Sequence, residues 1–177
     1  TEVVSKRKSS GLIALLVGRA ATLTTMASPK LPASFTFSTT STVNFPPQFQ
    51  NRDVWVIDPV AKTSWSRSLE GASGGFTTNE LNAITPANNQ FYQRGERLYM
   101  TGGYGLQTAP DINGTFDELT AIDLPGIVDW VIGGAGAAKD HVRQISNPLF
   151  SVTGGAMYEM GGRTHLVFGQ DFRGNYN

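Results

Sequence analysis

The sequence predicts an all-β fold of small antiparallel sheets, and three observations carry that expectation. Glycine (20) and proline (9) are abundant while charged residues make up only 16% of the 177-residue chain, the balance of a turn-rich β protein. Short apolar runs are bounded by Gly, Pro, Asn or Asp, as strands between turns are. A strand-and-glycine signature occurs twice: Arg94-Gly95-Glu96-Arg97-Leu98-Tyr99-Met100-Thr101-Gly102-Gly103 is echoed by Gly161-Gly162-Arg163-Thr164-His165-Leu166-Val167-Phe168-Gly169-Gln170. Aligning Gly102 with Gly169 also aligns Gly95 with Gly162, so a single spacing serves both pairs. Units that recur at a fixed period stack on their neighbours, because each buries its faces only against the next.

The elements follow in order. Residues 12–17 form an apolar run between glycines, read as a strand ending in Gly18-Arg19, a worn third copy of the signature. The same stretch, after Lys6-Arg7-Lys8, also meets the minimum description of a signal peptide. Residues 19–51 carry no sustained period and read as a long connection. Residues 54–58 read as a strand, Pro59-Val60-Ala61-Lys62 as its turn, and residues 63–66 as the antiparallel return. Residues 71–75 are expected to be loop, and residues 78–84 to hold a short helical turn. Residues 90–93 and 98–101 make the clearest hairpin. Residues 105–114 read as a polar loop and 118–123 as a strand. A short helix is expected near 125–133, since Pro125 suits a first helical turn and Gly133-Gly134 stops it. Residues 142–145 are strand-like, and residues 149–168 lead into and close a last hairpin.

Composition excludes several functions. Fourteen Lys+Arg against fourteen Asp+Glu leave no net field, so a nucleic acid is not an expected partner. The basic run at 6–8 reads as part of a flexible N-terminal segment, residues 1–10. Cysteine is absent, which removes disulfides, thiolate metal sites and a cysteine nucleophile together. No stretch reaches the roughly 20 apolar residues of a membrane-spanning helix.

At its signature residues the chain resembles the kelch-type β-propellers. The apolar strand 98–103 ends in Gly-Gly, the strand 54–58 ends in Asp, and Trp65 follows after a short turn. It is similar more narrowly to secreted kelch-containing proteins of Bacteroidetes-type bacteria. The carrying segments are Asn89-Gln90-Phe91-Tyr92-Gln93-Arg94-Gly95, Tyr99-Met100-Thr101-Gly102-Gly103-Tyr104-Gly105 and residues 168–177. The period exceeds the kelch value of about 50, and long loops and the inserted helix take up the excess. The resemblance implies four-stranded blades, lettered a to d from the channel outward. Residues 11–177 then form an incomplete propeller: strands b, c and d of one blade to about 70, a full blade at about 88–146, and strands a and b of the next at about 149–170. This falls short of the roughly 4–8 blades of a closed ring. A parent chain extending in both directions, with the remaining blades on it, is therefore expected, as is a secreted or cell-surface location.

Candidate chemistry is sparse. The two histidines, His141 and His165, have no partner at metal spacing; His141 reads as surface decoration and His165 as a packed or edge-exposed strand residue. Asp111, Asn113 and Asp117 alternate like calcium ligands, but the glycine is misplaced for such a loop, and an Asx-rich turn is the better reading. Asp58 and Asp123, separated by nearly the same interval as the hairpins, read as turn caps, and Trp65 and Trp130 as packing between blades. No metal and no cofactor are expected. Arg19, Tyr104, Gln170 and Arg173, just past the b strands, are the candidate binding residues, gathered by blade geometry on one rim with the long loops. The expected function is a non-catalytic scaffold that binds a protein or glycan through that rim. The alternative is a fragment of a propeller enzyme (oxidase, sialidase-like hydrolase or quinoprotein) with its catalytic residues elsewhere.

Overall fold

The computed structural model describes residues 14–16, 51–108 and 112–174. The fold is built of antiparallel strands, with few helices, arranged as several small sheets. The first sheet is β1 (Ala14–Leu16), β2 (Asp53–Asp58) and β3 (Thr63–Ser68), in that order. The central sheet has four strands in chain order: β4 (Gln90–Arg94), β5 (Arg97–Thr101), β8 (Glu118–Asp123) and β9 (Val142–Ser146). A two-stranded ribbon, β6 (Tyr104–Gln107) with β7 (Ile112–Thr115), sits between β5 and β8 in the chain. The last hairpin pairs β10 (Ala156–Met160) with β11 (Arg163–Val167).

Among the described residues, three α-helices fill the connections. A single turn, α1 (Gly71–Gly74), forms where a loop was expected, and its C-cap Gly75 takes φ 75°. The longer α2 (Thr78–Ile84) starts at a capping box. The Thr77 hydroxyl accepts the Glu80 N–H, and the Glu80 carboxylate accepts the Thr77 N–H at 2.8 Å. The inserted helix α3 (Leu124–Ile132) follows β8 directly, with Pro125 in its first turn. A carbonyl in its last turn and one just beyond the helix are bound from a distant strand: one Arg67 Nη donates to Trp130 O at 2.7 Å and to Gly134 O at 2.9 Å. The same guanidinium lies 4.4 Å from the centroid of the buried Trp130 ring, a cation–π contact. Trp130 is thus core, and Trp65 is partly buried against the same cluster.

One core joins the first and central sheets. Val54 and Val56 of β2 meet Met100, Ile122 and Val142 of the central sheet, with Leu81 and Ile84 of α2 and Ile127, Trp130 and Val131 of α3. The β10–β11 hairpin sits against β4 at the edge of the central sheet, where Glu159 meets Tyr92 and Arg94.

The internal repeat is real, but its structural spacing is one position shorter than the glycine alignment implies. The turn Gly95-Glu96 between Arg94 and Arg97 corresponds to Gly161-Gly162 between Met160 and Arg163. Beyond the second strand, Gly102 and Gly103 take φ 60° and 87°, and Phe168 and Gly169 take 61° and 80°. Gly169 thus holds the place of Gly103, and Phe168 that of Gly102. The glycine-to-glycine alignment was misled because one of the four corner residues is not glycine.

The two corner glycines differ from the turn glycine in what a side chain would meet. A Cβ on Gly102 would lie 1.9 Å from Val152 O, whereas one on Gly95 meets nothing within 4 Å. Gly102→Ala is expected to cost about 2–5 kcal/mol, left-handed strain plus overpacking. Gly95→Ala is expected to cost about 1–2 kcal/mol from strain alone. Urea unfolding of the two variants checks the difference.

Candidate functional site

The corners that end β5 and β11 organise the candidate surface. After Gly102-Gly103 the chain turns out of the central sheet, and Tyr104 pairs with Ala87 through two backbone bonds of 2.7 and 2.8 Å. After Phe168-Gly169, Gln170 pairs in the same way with Thr153, at 2.9 and 3.1 Å. Thr153 follows Ala87 at the same interval as Gln170 follows Tyr104, so the whole corner repeats. The two corners are tied together: the Gly103 N–H donates to Val152 O at 2.9 Å, and the Gly154 N–H to Asn88 O at 3.1 Å.

Residues 170–174 run as a strap along the β6–β7 ribbon. The Thr115 N–H and hydroxyl both donate to Phe172 O, at 2.9 and 3.0 Å, and the Phe172 N–H returns a bond to the Thr115 hydroxyl at 2.8 Å. The Gly174 N–H donates to Asn113 O at 2.8 Å, and Arg173 forms an antiparallel bridge with Gly114. Residues 105–114 are therefore not simply a polar loop: Asn113, Gly114 and Thr115 lie in a buried strand covered by the strap. Asp111 lies outside the described residues.

The four sequence candidates fare differently. Arg19 lies outside the described residues. Tyr104 is 1% exposed, its ring tilted against Phe172 with centroids 5.6 Å apart and its hydroxyl donating to Gly174 O. It is the floor that anchors the strap. Gln170 and Arg173 are exposed on the strap. The structure thus brings Tyr104, Gln170 and Arg173 to one corner region, with Tyr104 beneath and the other two outside.

Phe168 was missed by sequence reasoning. It is 86% exposed and holds φ 61°, a left-handed conformation costly for a bulky residue. The available signal was its place just before Gly169-Gln170, at the position the other copy gives to glycine. Aromatic rings held outward at such cost are where function is sought.

The remaining polar groups have structural explanations. The Asp58 carboxylate accepts the Val60 and Ala61 N–H groups, both at 2.9 Å, as a turn cap. Asp123 does not share that role: it precedes α3 without a side-chain cap bond, and Pro125 in the first turn has no N–H to give. His141 is not surface decoration but half-buried, its Nδ1 2.2 Å from where a Cβ on Gly126 would lie. His165 is exposed on β11. The Tyr92 hydroxyl donates to Glu159 at 3.0 Å between the central sheet and the last hairpin, which raises the phenol above its ordinary range. Among the described residues no group of three His, Cys, Asp or Glu could hold a metal, and no helix is long and apolar enough to cross a membrane.

Compared with protein-family models, with curated proteins and with solved structures, the chain matches none.

One carboxylate near the corner is under electrostatic stress. Burial, and then the neighbouring Asp117 charge, push the Glu118 carboxyl above its ordinary range, and its Oε2 is buried without a hydrogen-bond partner. A carboxyl with a raised folded-state pKa penalises the fold above that pKa, and the penalty lifts as pH falls through it. Glu118→Gln is expected to unfold at a higher temperature than the parent at pH 7. The difference should close as the pH drops to the ordinary carboxylate value; paired melting curves at pH 7 and pH 4 check it.

Proposed function

We propose that this chain is part of a kelch-like β-propeller acting as a non-catalytic recognition scaffold, which binds a protein or glycan through the strand corners. The observation that carries the reading is Phe168, an exposed ring held in a strained backbone conformation a few residues before exposed Gln170 and Arg173. A ring face takes up apolar side chains or the C–H face of a sugar, while the amide and guanidinium hydrogen-bond polar or acidic groups. Backbone bonds fix the corner to two sheets, so the three side chains are presented on a rigid support. The blade assignment draws on the kelch-type signature, the four antiparallel strands of the central sheet and the stacking of successive units. A secreted or cell-surface setting goes with the same resemblance.

The reading separates binding from stability. Phe168→Gly relieves about 1–2 kcal/mol of left-handed strain and returns about 0.5–1 kcal/mol in backbone entropy, so the variant is expected to be at least as stable as the parent. Ligands selected on the immobilised protein from a glycan array and a peptide-display library are expected to lose at least tenfold in affinity to Phe168→Gly. They should weaken further when Arg173→Ala is added. Selected ligands that bind both variants as tightly as the parent would move the site elsewhere.

A further inference from the structure

Arg173 sits between two residues that are both tied down, and the other candidate binding residues do not share that support. Phe172 before it accepts the Thr115 N–H and hydroxyl at its carbonyl, at 2.9 and 3.0 Å, and donates its own N–H to that hydroxyl at 2.8 Å. Gly174 after it donates its N–H to Asn113 O at 2.8 Å, and its carbonyl accepts the Tyr104 hydroxyl. The Tyr104 ring also packs on the Phe172 ring, so one buried side chain touches the strap on either side of Arg173. Gln170 is held instead by Thr153, through two backbone bonds. Phe168 precedes Gly169, which Val152 and Thr153 crowd. Tyr104 therefore reaches Arg173 and leaves the other two to the corner.

Strand pairing fixes what Arg173 stands beside. At its rung the two ribbon residues are Gly105 and Gly114, and no side chain grows from either. The neighbour on that face is the Gln107 carboxamide, 3.2 Å from where a Cβ on Gly114 would lie. It is neutral, and its Nε2 donates to Thr115 O at 2.9 Å. Asp171 lies two residues back, roughly 6.5–7 Å along an extended chain. Arg173 makes no ion pair among the described residues. A guanidinium without a carboxylate of its own is matched by one from a ligand, two N–H donors to two oxygens. Resting on the recognition role proposed above, we infer that Tyr104 is a positioning residue: through its hydroxyl on Gly174 and its ring on Phe172 it holds Arg173 where the guanidinium takes a carboxylate of the ligand. Tyr104 is buried and acts only through the strap. Without its hydroxyl the strap keeps the bonds to Thr115 and Asn113 but loses the side-chain bond that closes it on Gly174.

The experiment uses the full 177-residue chain and the ligands selected on it from the glycan array and the peptide-display library. Each carboxylate-bearing ligand is paired with its amide counterpart, and the array it came from tells whether a glycan or a peptide carries the group. The parent is expected to bind the carboxylate form about tenfold tighter than the amide. Tyr104→Phe keeps the ring and removes the hydroxyl. It is expected to narrow that ratio by about two- to tenfold, the worth of one hydrogen bond, by weakening the carboxylate form alone. Arg173→Ala is expected to abolish the preference, and adding Tyr104→Phe to it should cost nothing more. Phe168→Gly is expected to weaken both forms alike and leave the ratio as it was. A role of Tyr104 in folding alone would also weaken both forms alike, so an unchanged ratio in Tyr104→Phe overturns the positioning role. If Phe168→Gly still weakens binding in that case, the recognition reading stands. If Phe168→Gly weakens neither form, that reading falls and the positioning role with it. A selection that returns no carboxylate-bearing ligand overturns the positioning role as well. Should Tyr104→Phe lose strand content by circular dichroism, Thr115→Val unties Phe172 from the ribbon instead, and the same narrowing of the ratio is required of it.

Discussion

The structure depends on two consecutive left-handed residues at the end of β5. In an ordinary strand, neighbouring N–H groups point to opposite sides of one sheet. At Gly102 and Gly103 the positive φ values turn the chain out of the sheet, so the second N–H finds its partner outside the central sheet. Gly102 donates to Glu118 O at 3.1 Å and so starts the pairing of β5 with β8. Gly103 donates to Val152 O and so ties the central sheet to the segment that begins the next unit. Its carbonyl accepts the Phe116 N–H at 2.9 Å, which returns the ribbon to the sheet. Sheet register, the stacking of the last hairpin and the anchoring of the ribbon all pass through this corner. No side chain fits either position: Val152 O excludes one at Gly102, and Pro86 Cγ, 2.7 Å from a Cβ, excludes one at Gly103.

A second constraint governs the gap between the first and central sheets. The connection after β8 carries α3, and an α-helix between two sheets brings apolar side chains and unsatisfied carbonyls together. Ile127, Trp130 and Val131 supply the apolar face. The carbonyls at the helix end would be costly there without a donor. Arg67 of β3 meets that need, and its guanidinium also stacks on the ring of the residue whose carbonyl it binds. One cation from the first sheet therefore both closes the helix and seats its aromatic. A second tie of the same kind lies outside the core: Lys139 reaches Glu80 at 2.6 Å, which holds that carboxyl below its ordinary range while it caps α2.

What was legible in the sequence were the features that need only local chemistry. The hairpin of Gln90–Arg94 with Arg97–Thr101 shows in its alternating residues and turn glycine, and α3 in Pro125 and Gly133. What was not legible depends on partners distant in the chain. Residues 112–115 look like a polar turn because Asn113, Gly114 and Thr115 are turn formers. They form a strand by pairing with β6, and residues 172–174, far along the chain, supply further backbone partners on the other side. Tyr104 looked like a rim residue for the same reason: the Phe172 ring and the Gly174 carbonyl that bury it are remote in sequence. His141 is packed rather than displayed because Gly126, on the preceding helix, has no side chain to keep it away.

The shift of one position in the repeat spacing carries a physical lesson about the second corner. Glycine is required at 102 by a carbonyl from the next unit, a steric demand and not only a backbone preference. At the equivalent position, Phe168, the described residues place no such carbonyl, and the ring stands in the open. The left-handed backbone costs about 1–2 kcal/mol there, with no burial of the ring among the described residues to offset it. Gly169, next in the chain, keeps its glycine because a Cβ there would still meet Val152 Cγ1 at 2.6 Å and Thr153 O at 2.7 Å. The side chain gained at 168 does not serve the packing of its own unit, which is why the proposed recognition role falls on it.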